Sequence, residues 1–352
     1  MKVDEQKLNQ FLERAVSDLA AGYGGVMVSL GHKLGLYRAM ADAGPLTAKQ
    51  VADRAGCAER YVLEWLNSQA AGGYVNYDPE NAIYELAPEQ AMVLAQDDSA
   101  VFIPPAWEVP ASMWFDETKA LDAFRSGKGV SWDEHHDRLF CGVGAFYRNG
   151  YRANLVSNWI PTLEGVEDKL RSGATVADIG CGHGHSTIIM AEAFPNARFK
   201  GFDYHEGSIQ TAQENAAKTG VDSRVSFEVA DAKSYPNDDF DLICFFDCLH
   251  DMGDPVGAAR HAGDALAEDG TVMLVEPYAG DRLEDNLNPV GRLYYAASST
   301  LCCAHSLSEE VGLALGAQAG EARLARVFRD AGFGTFRRAT ETPFNLVLEA
   351  KR

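Results

Sequence analysis

The sequence lacks any long apolar run: nothing in its 352 residues approaches the roughly 18 apolar residues that a membrane span needs. Its start, Met1-Lys2-Val3-Asp4-Glu5-Gln6, leads into a polar helical pattern, so no secretory signal peptide is expected. Positive charge is scarce as well. The 31 Lys and Arg stand against 51 Asp and Glu, and the formal net charge of −20 repels nucleic acid and anionic membranes alike. The seven cysteines are odd in number and follow no ladder spacing, which points to reduced thiols and a cytoplasmic protein. Cys302-Cys303, with His305 nearby, has no second pair at ligand spacing, so buried thiols and no metal site are expected. Two nucleotide motifs are also missing. His185 stands where a dinucleotide loop starting at Gly180 would place its third glycine, and no Gly-Lys-Ser/Thr follows to make a P-loop.

The length suggests more than one domain, and the apolar fraction of 46% allows sizeable cores. Residues 5–40 read as two helices interrupted at Gly22-Tyr23-Gly24-Gly25. Helices over 48–55 and 58–71 follow, the second with Tyr61, Val62, Trp65 and Leu66 on its apolar stripe. Residues 74–77 and 83–86 flank the turn Asp78-Pro79-Glu80-Asn81 as a hairpin. Helix, turn, helix and hairpin describe a winged helix, whose usual use is DNA binding. Between Pro45 and Asp97, however, only Lys49, Arg54 and Arg60 face eight acidic residues, among them Glu59 and Glu64 on the would-be recognition helix. That segment lacks the charge to neutralise phosphates, so dimerisation or a pocket wall is the better use of it.

Residues 98–171 read as a helical, aromatic-rich linker or lid, with His135-His136 on a polar helix face. From 172 onward strands and helices alternate, which argues for a doubly wound, Rossmann-like parallel sheet. Strands are expected at 175–180, 198–203, 225–231, 241–249 and 271–277, and helices at 185–193, 206–219 and 255–266. The tail departs from a dinucleotide fold: 336–342 and 345–350 form a closing antiparallel hairpin.

Chemistry concentrates at the carboxyl ends of these strands. Asp178-Ile179-Gly180-Cys181-Gly182-His183-Gly184 ends the first strand and opens a helix, and glycines there let a ligand approach the backbone. Asp178 places a carboxylate beside that turn for an ammonium group. Asp203, before Tyr204, ends the second strand, where an acid can accept both hydroxyls of a ribose. Asp231, before Ala232, ends the third, within reach of an adenine amino group. One strand-end Asp is common as a turn former. Three on one sheet edge are not.

With these residues the chain resembles the class I S-adenosylmethionine-dependent methyltransferases over about residues 172–352. The resemblance implies that Asp178, Gly180, Cys181, Gly182 and Gly184 hold the methionine part of the cofactor. Asp203 with Tyr204 takes the ribose, Asp231 with Ala232 the adenine edge, and Asp247 lies in the same cofactor site. Leu249-His250-Asp251-Met252-Gly253-Asp254 is similar to the Leu-His-Asp-Trp-x-Asp signature of small-molecule O-methyltransferases with an N-terminal winged-helix dimerisation domain, although Met252 stands in place of Trp. In that subgroup the histidine is the general base, which makes His250 the candidate; the other reading is a structural His that orients Asp247, Asp251 or a cofactor group. A base suits an O–H, N–H or S–H acceptor. A thioether acceptor, such as a 4-methylthio-2-hydroxybutyrate, needs none, so S-methylation stays open beside O-methylation. A ligand-sensing DNA-binding regulator is the remaining alternative. Tyr147 and Tyr151, one helical turn apart, and Glu276, ending the fifth strand, are candidate acceptor-site residues.

Overall fold

The structure is a computed structural model that describes residues 3–352. It forms two compact units: residues up to Ala111 together with Cys141–Asn149, and Ser112–Phe140 together with Gly150–Arg352.

The first unit begins with a single helix, Glu5–Lys33, capped by the Asp4 carboxylate on the amides of Gln6 and Lys7. The expected break at Gly22–Gly25 is absent. Gly25 serves close packing and not a turn, since a Cβ there would sit 2.2 Å from the Trp107 ring, whereas Gly22 and Gly24 face open space within the helix. Gly31 is just as tight against Trp65 and Tyr37. The chain turns only at Gly35, whose φ of 71° is left-handed, before the short helix Leu36–Met40. Helices Ala48–Ala55 and Glu59–Ala71 and the antiparallel pair β1 (Asn76–Asp78) and β2 (Ile83–Glu85) make the winged helix. Thr47 and Gln50 form a capping box at its first helix. Tyr37, Val51, Val62, Trp65, Leu66 and Tyr84 fill its core.

The second unit is built on seven strands: β3 (Thr175–Ile179), β4 (Arg198–Asp203), β5 (Val225–Val229), β6 (Phe240–Phe246), β7 (Leu266–Pro277), β8 (Thr335–Glu341) and β9 (Asn345–Lys351). Their order is β5-β4-β3-β6-β7-β9-β8. The first five run parallel, and β9 and β8 close the sheet as an antiparallel hairpin. The central strand β6 and the second half of β7 are nearly continuous buried apolar runs, as burial on both faces requires, whereas the edge strand β5 alternates buried and exposed residues. The chain reverses its winding between β3 and β6, so the sheet's switch point lies at the carboxyl ends of these two strands. Several boundaries differ from expectation: β5 stops at Val229, which leaves Asp231 in the loop beyond it, and β7 begins at Leu266. Strand β6 stops at Phe246 because Asp247 takes a φ of 51°, and His250 therefore sits in a short 3-10 turn, Leu249–Asp251. His135 lies before the helix Arg138–Asn154 and is buried, because its ring is tied to Asp116. None of the described helices is long and apolar enough to cross a membrane.

Candidate active site

At the switch point β3 delivers Asp178 beneath the amino end of the helix His185–Ala193. The side chain has 0% exposure, and its Oδ2 accepts from the Ser186 and Thr187 hydroxyls, each at 2.6 Å. Its Oδ1 is buried without a partner. Burial, only partly offset by the two hydroxyls, pushes the Asp178 carboxyl up to about 6.

The three loop glycines serve different ends. Gly180, at φ 70°, lets the following loop pass, since a Cβ there would meet Cys248 Sγ at 2.9 Å. Gly184, at φ 74°, starts the helix against the Phe227 ring, 2.5 Å from where its Cβ would be. Only Gly182 faces open space, so it alone leaves room for a ligand against the backbone. Cys181 is buried, and its sulfur would lie 2.9 Å from a Cβ on Gly201.

Asp203, at the end of β4, ties this loop in place. Its Oδ2 accepts from the Gly182 amide and its Oδ1 from the His205 amide, both at 2.9 Å. Each oxygen keeps a lone pair for a further donor. Burial raises the Asp203 carboxyl above its ordinary range. Asp231 is exposed two residues beyond the end of β5, and its Oδ1 accepts from the Lys233 amide at 2.8 Å. Ala230, Ala232, Cys248 and Met252 pack on the core beside it as an apolar floor. Tyr204 is exposed, with its ring stacked on His305 at 5.8 Å.

The fourth carboxylate is spoken for. Asp247 accepts from the Tyr151 hydroxyl at 2.7 Å and from Asn345 at 2.9 Å, which anchors the end of β6 to two other elements. Tyr151 is itself 6% exposed, so its hydroxyl is committed to this bond. Tyr147 belongs to the first unit, where it packs edge-on against Phe146.

His250 is the centre of a buried cluster. Its Nδ1 is 2.5 Å from Glu276 Oε2, and both side chains are almost fully enclosed. Glu276 is thus no solvated strand end: β7 carries it inside the fold, and its Oε1 has no partner. The Cys302 thiol hydrogen-bonds the same imidazole. Burial works against a charge on His250, but the Glu276 carboxylate and the Cys302 sulfur prevail and hold its pKa well above 6.5. Burial likewise lifts Asp251 to about 7, despite the neighbouring imidazole. Glu309 closes the turn by accepting from the Gly253 amide at 2.6 Å. No sequence pattern marks Cys302 or Glu309 as site neighbours, because their segment lies more than fifty residues from His250 and follows no spacing rule.

Comparison with known proteins fits this geometry. Residues 170–332 match the family described as a methyltransferase domain, and residues 22–96 match an Rv2258c-like winged HTH domain. Over 107 residues the chain is 37% identical to the 27-O-demethylrifamycin SV methyltransferase of Amycolatopsis mediterranei, covering 30% of this chain and 39% of that protein. The chain spans less than two thirds of the length of the curated relatives it matches. Human N-acetylserotonin methyltransferase, solved with S-adenosylmethionine, superposes with a TM-score of 0.69 at 15% identity, covering 100% of this chain and 99% of that one. An O-methyltransferase family protein from Burkholderia thailandensis gives 0.68 at 16% identity with the same coverage. At such identities the likeness is one of fold.

Proposed function

The chain carries a methyltransferase domain joined to an Rv2258c-like winged HTH domain, and from that premise we propose that it methylates an oxygen of a small-molecule acceptor with His250 as the general base. S-adenosylmethionine supplies, when bound, an electrophilic methyl group on a sulfonium. The observation that carries the reading is a set of buried carboxylates: Asp178 at the end of β3 with one unpartnered oxygen, Asp203 at the end of β4 on the Gly182 and His205 amides, and Asp251 in the turn after β6. Burial raises the pKa of each. A ligand bearing a sulfonium and an ammonium relieves that strain, whereas an anionic dinucleotide worsens it.

In this assignment Asp178 Oδ1 receives the ammonium, and the open face at Gly182 admits the amino-acid portion. The free lone pairs of Asp203 take the ribose hydroxyls, and Ala232 with Met252 lines the adenine. The Asp178 carboxyl must ionise to hold a cation, so affinity for S-adenosylhomocysteine should weaken steadily as pH falls from about 7 to about 5. A flat calorimetric profile over that range would remove Asp178 from the ammonium site.

Glu276 orients the His250 ring through Nδ1, and Nε2, once it exchanges the Cys302 thiol for the acceptor's O–H, takes the acceptor's proton. A base works only when deprotonated, so the rate should climb with pH through an inflection above 6.5. The Glu276 carboxylate is the charge that favours the imidazolium. Glu276→Gln should therefore move the limb to lower pH, and a limb that stays in place means another group is titrating.

A homodimer is part of the same reading. On the helix Glu5–Lys33 the exposed residues Leu8, Leu12, Val16, Leu19, Tyr23, Val26 and Leu30 repeat every three or four positions. A stripe of this spacing fits a second copy of the same helix. Leu12→Glu with Leu19→Glu should halve the mass seen by light scattering, and an unchanged mass would place the interface elsewhere. Free thiols and the acidic surface agree with a cytoplasmic setting.

A further inference from the structure

A second histidine–carboxylate pair lies outside the machinery described above. Asp116, just before the helix Glu117–Ser126, is 6% exposed. Its Oδ1 accepts from Lys119 at 2.9 Å, and its Oδ2 from the His136 amide at 2.9 Å and from His135 Nδ1 at 3.1 Å. These donors keep the carboxyl ionised even though burial opposes them. An ionised carboxylate only accepts, so the His135 proton sits on Nδ1 and leaves Nε2 with a lone pair. Burial keeps that ring neutral.

The His135 side chain is 2% exposed, and its Nε2 is buried without a partner. The Thr300 hydroxyl is buried without a partner too. Both residues line one small pocket, with Asp116, Lys119, Val130 and Leu301 around them. Its volume of about 10 Å³ suits one water-sized group. An acceptor nitrogen and a hydroxyl that both donates and accepts, unpartnered on two residues that line one small pocket, define what fits: a group with one O–H. It donates to Nε2 and accepts from Thr300.

Two walls of the pocket lead toward the proposed reaction centre through chain and ring contacts. Thr300 is two residues before Cys302, which bonds His250. Trp132 packs edge-on to His135 and donates its amide to His305, whose ring lies on Tyr204 beside Asp203. We propose that the pocket between His135 and Thr300 is a binding site for a single O–H group, water in the free protein and a hydroxyl of the methyl acceptor in the complex. The acceptor half rests on the methyltransferase reading; the water half does not.

The test is a crystal structure of the full chain with S-adenosylhomocysteine, with and without millimolar catechol as the hydroxyl probe. The expected result is one oxygen within hydrogen-bonding distance of both Nε2 and Oγ1, replaced by a catechol hydroxyl in the second crystal. Water in both crystals upholds the O–H site and overturns its assignment to the acceptor. An empty pocket, or a ring turned so that Nε2 meets Asp116, overturns the site. Nitrogen-15 spectra of histidine-labelled protein give a second readout: Thr300→Val should shift His135 Nε2 downfield, to the position of an unbonded imidazole nitrogen. An unmoved resonance in a variant that still binds S-adenosylhomocysteine contradicts the bridge. Neither readout needs methyl transfer, so the site and the enzymatic reading can fail separately.

Discussion

Replacing His250 with glutamine should lower kcat by about 10²–10⁴-fold, the span that a positioned general base supplies. S-adenosylhomocysteine affinity should stay within about threefold of wild type, less than the roughly 1.4 kcal/mol that a tenfold change represents. The reasoning is geometric. His250 is fixed between Glu276 and Cys302 and shares no hydrogen bond with Asp178 or Asp203, whose partners are Ser186, Thr187, Gly182 and His205. Glutamine preserves a donor to Glu276 and so avoids leaving that buried acid bare, which alanine would do. The residual pH limb should vanish with the imidazole. A variant that keeps its rate would turn His250 into a structural residue and favour an acceptor, such as a thioether, that loses no proton.

Asp203→Ala has the second largest expected effect, on binding and not on the chemical step. The carboxylate joins two loops through the amides of Gly182 and His205 and keeps lone pairs for the ribose. Its loss leaves both amides without their acceptor and removes the ribose contact together. S-adenosylhomocysteine affinity should fall about 10²–10³-fold, roughly 3–4 kcal/mol. Asp203→Asn retains an acceptor for one amide and should fall between the two. Calorimetry of both variants checks the order. Equal affinity in wild type and alanine variant would remove Asp203 from the cofactor site.

The alternation of β3 to β7 with their helices was legible because buried parallel strands write long apolar runs between capped helices. Helices His185–Ala193 and Glu206–Thr219 fall on the residues their patterns indicated. The glycines of the first helix misled for a physical reason. Glycine signals a turn and also a close approach, and only the distance to Trp107 tells which applies. The same ambiguity ran through the strand-end loop, where Gly180 and Gly184 serve packing and Gly182 alone faces open space.

The site was legible one residue at a time and not as a cluster. Asp178, Asp203 and His250 stood out by their places at strand ends. Of their partners Glu276 also stood out, at the end of the fifth strand, but Cys302 and Glu309 did not, because they arrive from a distant segment through tertiary packing. Asp247 looked like one more ligand-facing acid. Its positive φ and its bonds to Tyr151 and Asn345 make it the anchor that ends β6 and sets His250 in its turn. His135 was hidden by a run of polar neighbours, and only the fold reveals that Asp116 draws it inside.

The central claim is a base-dependent methyl transfer to oxygen. The most direct measurement follows labelled methyl from S-adenosylmethionine onto a panel of phenols, hydroxy acids, thiols and thioethers, with wild type and His250→Gln side by side. The account predicts label on a hydroxyl-bearing acceptor with wild type and its loss with the variant. Equal labelling of a thioether by both proteins would contradict it.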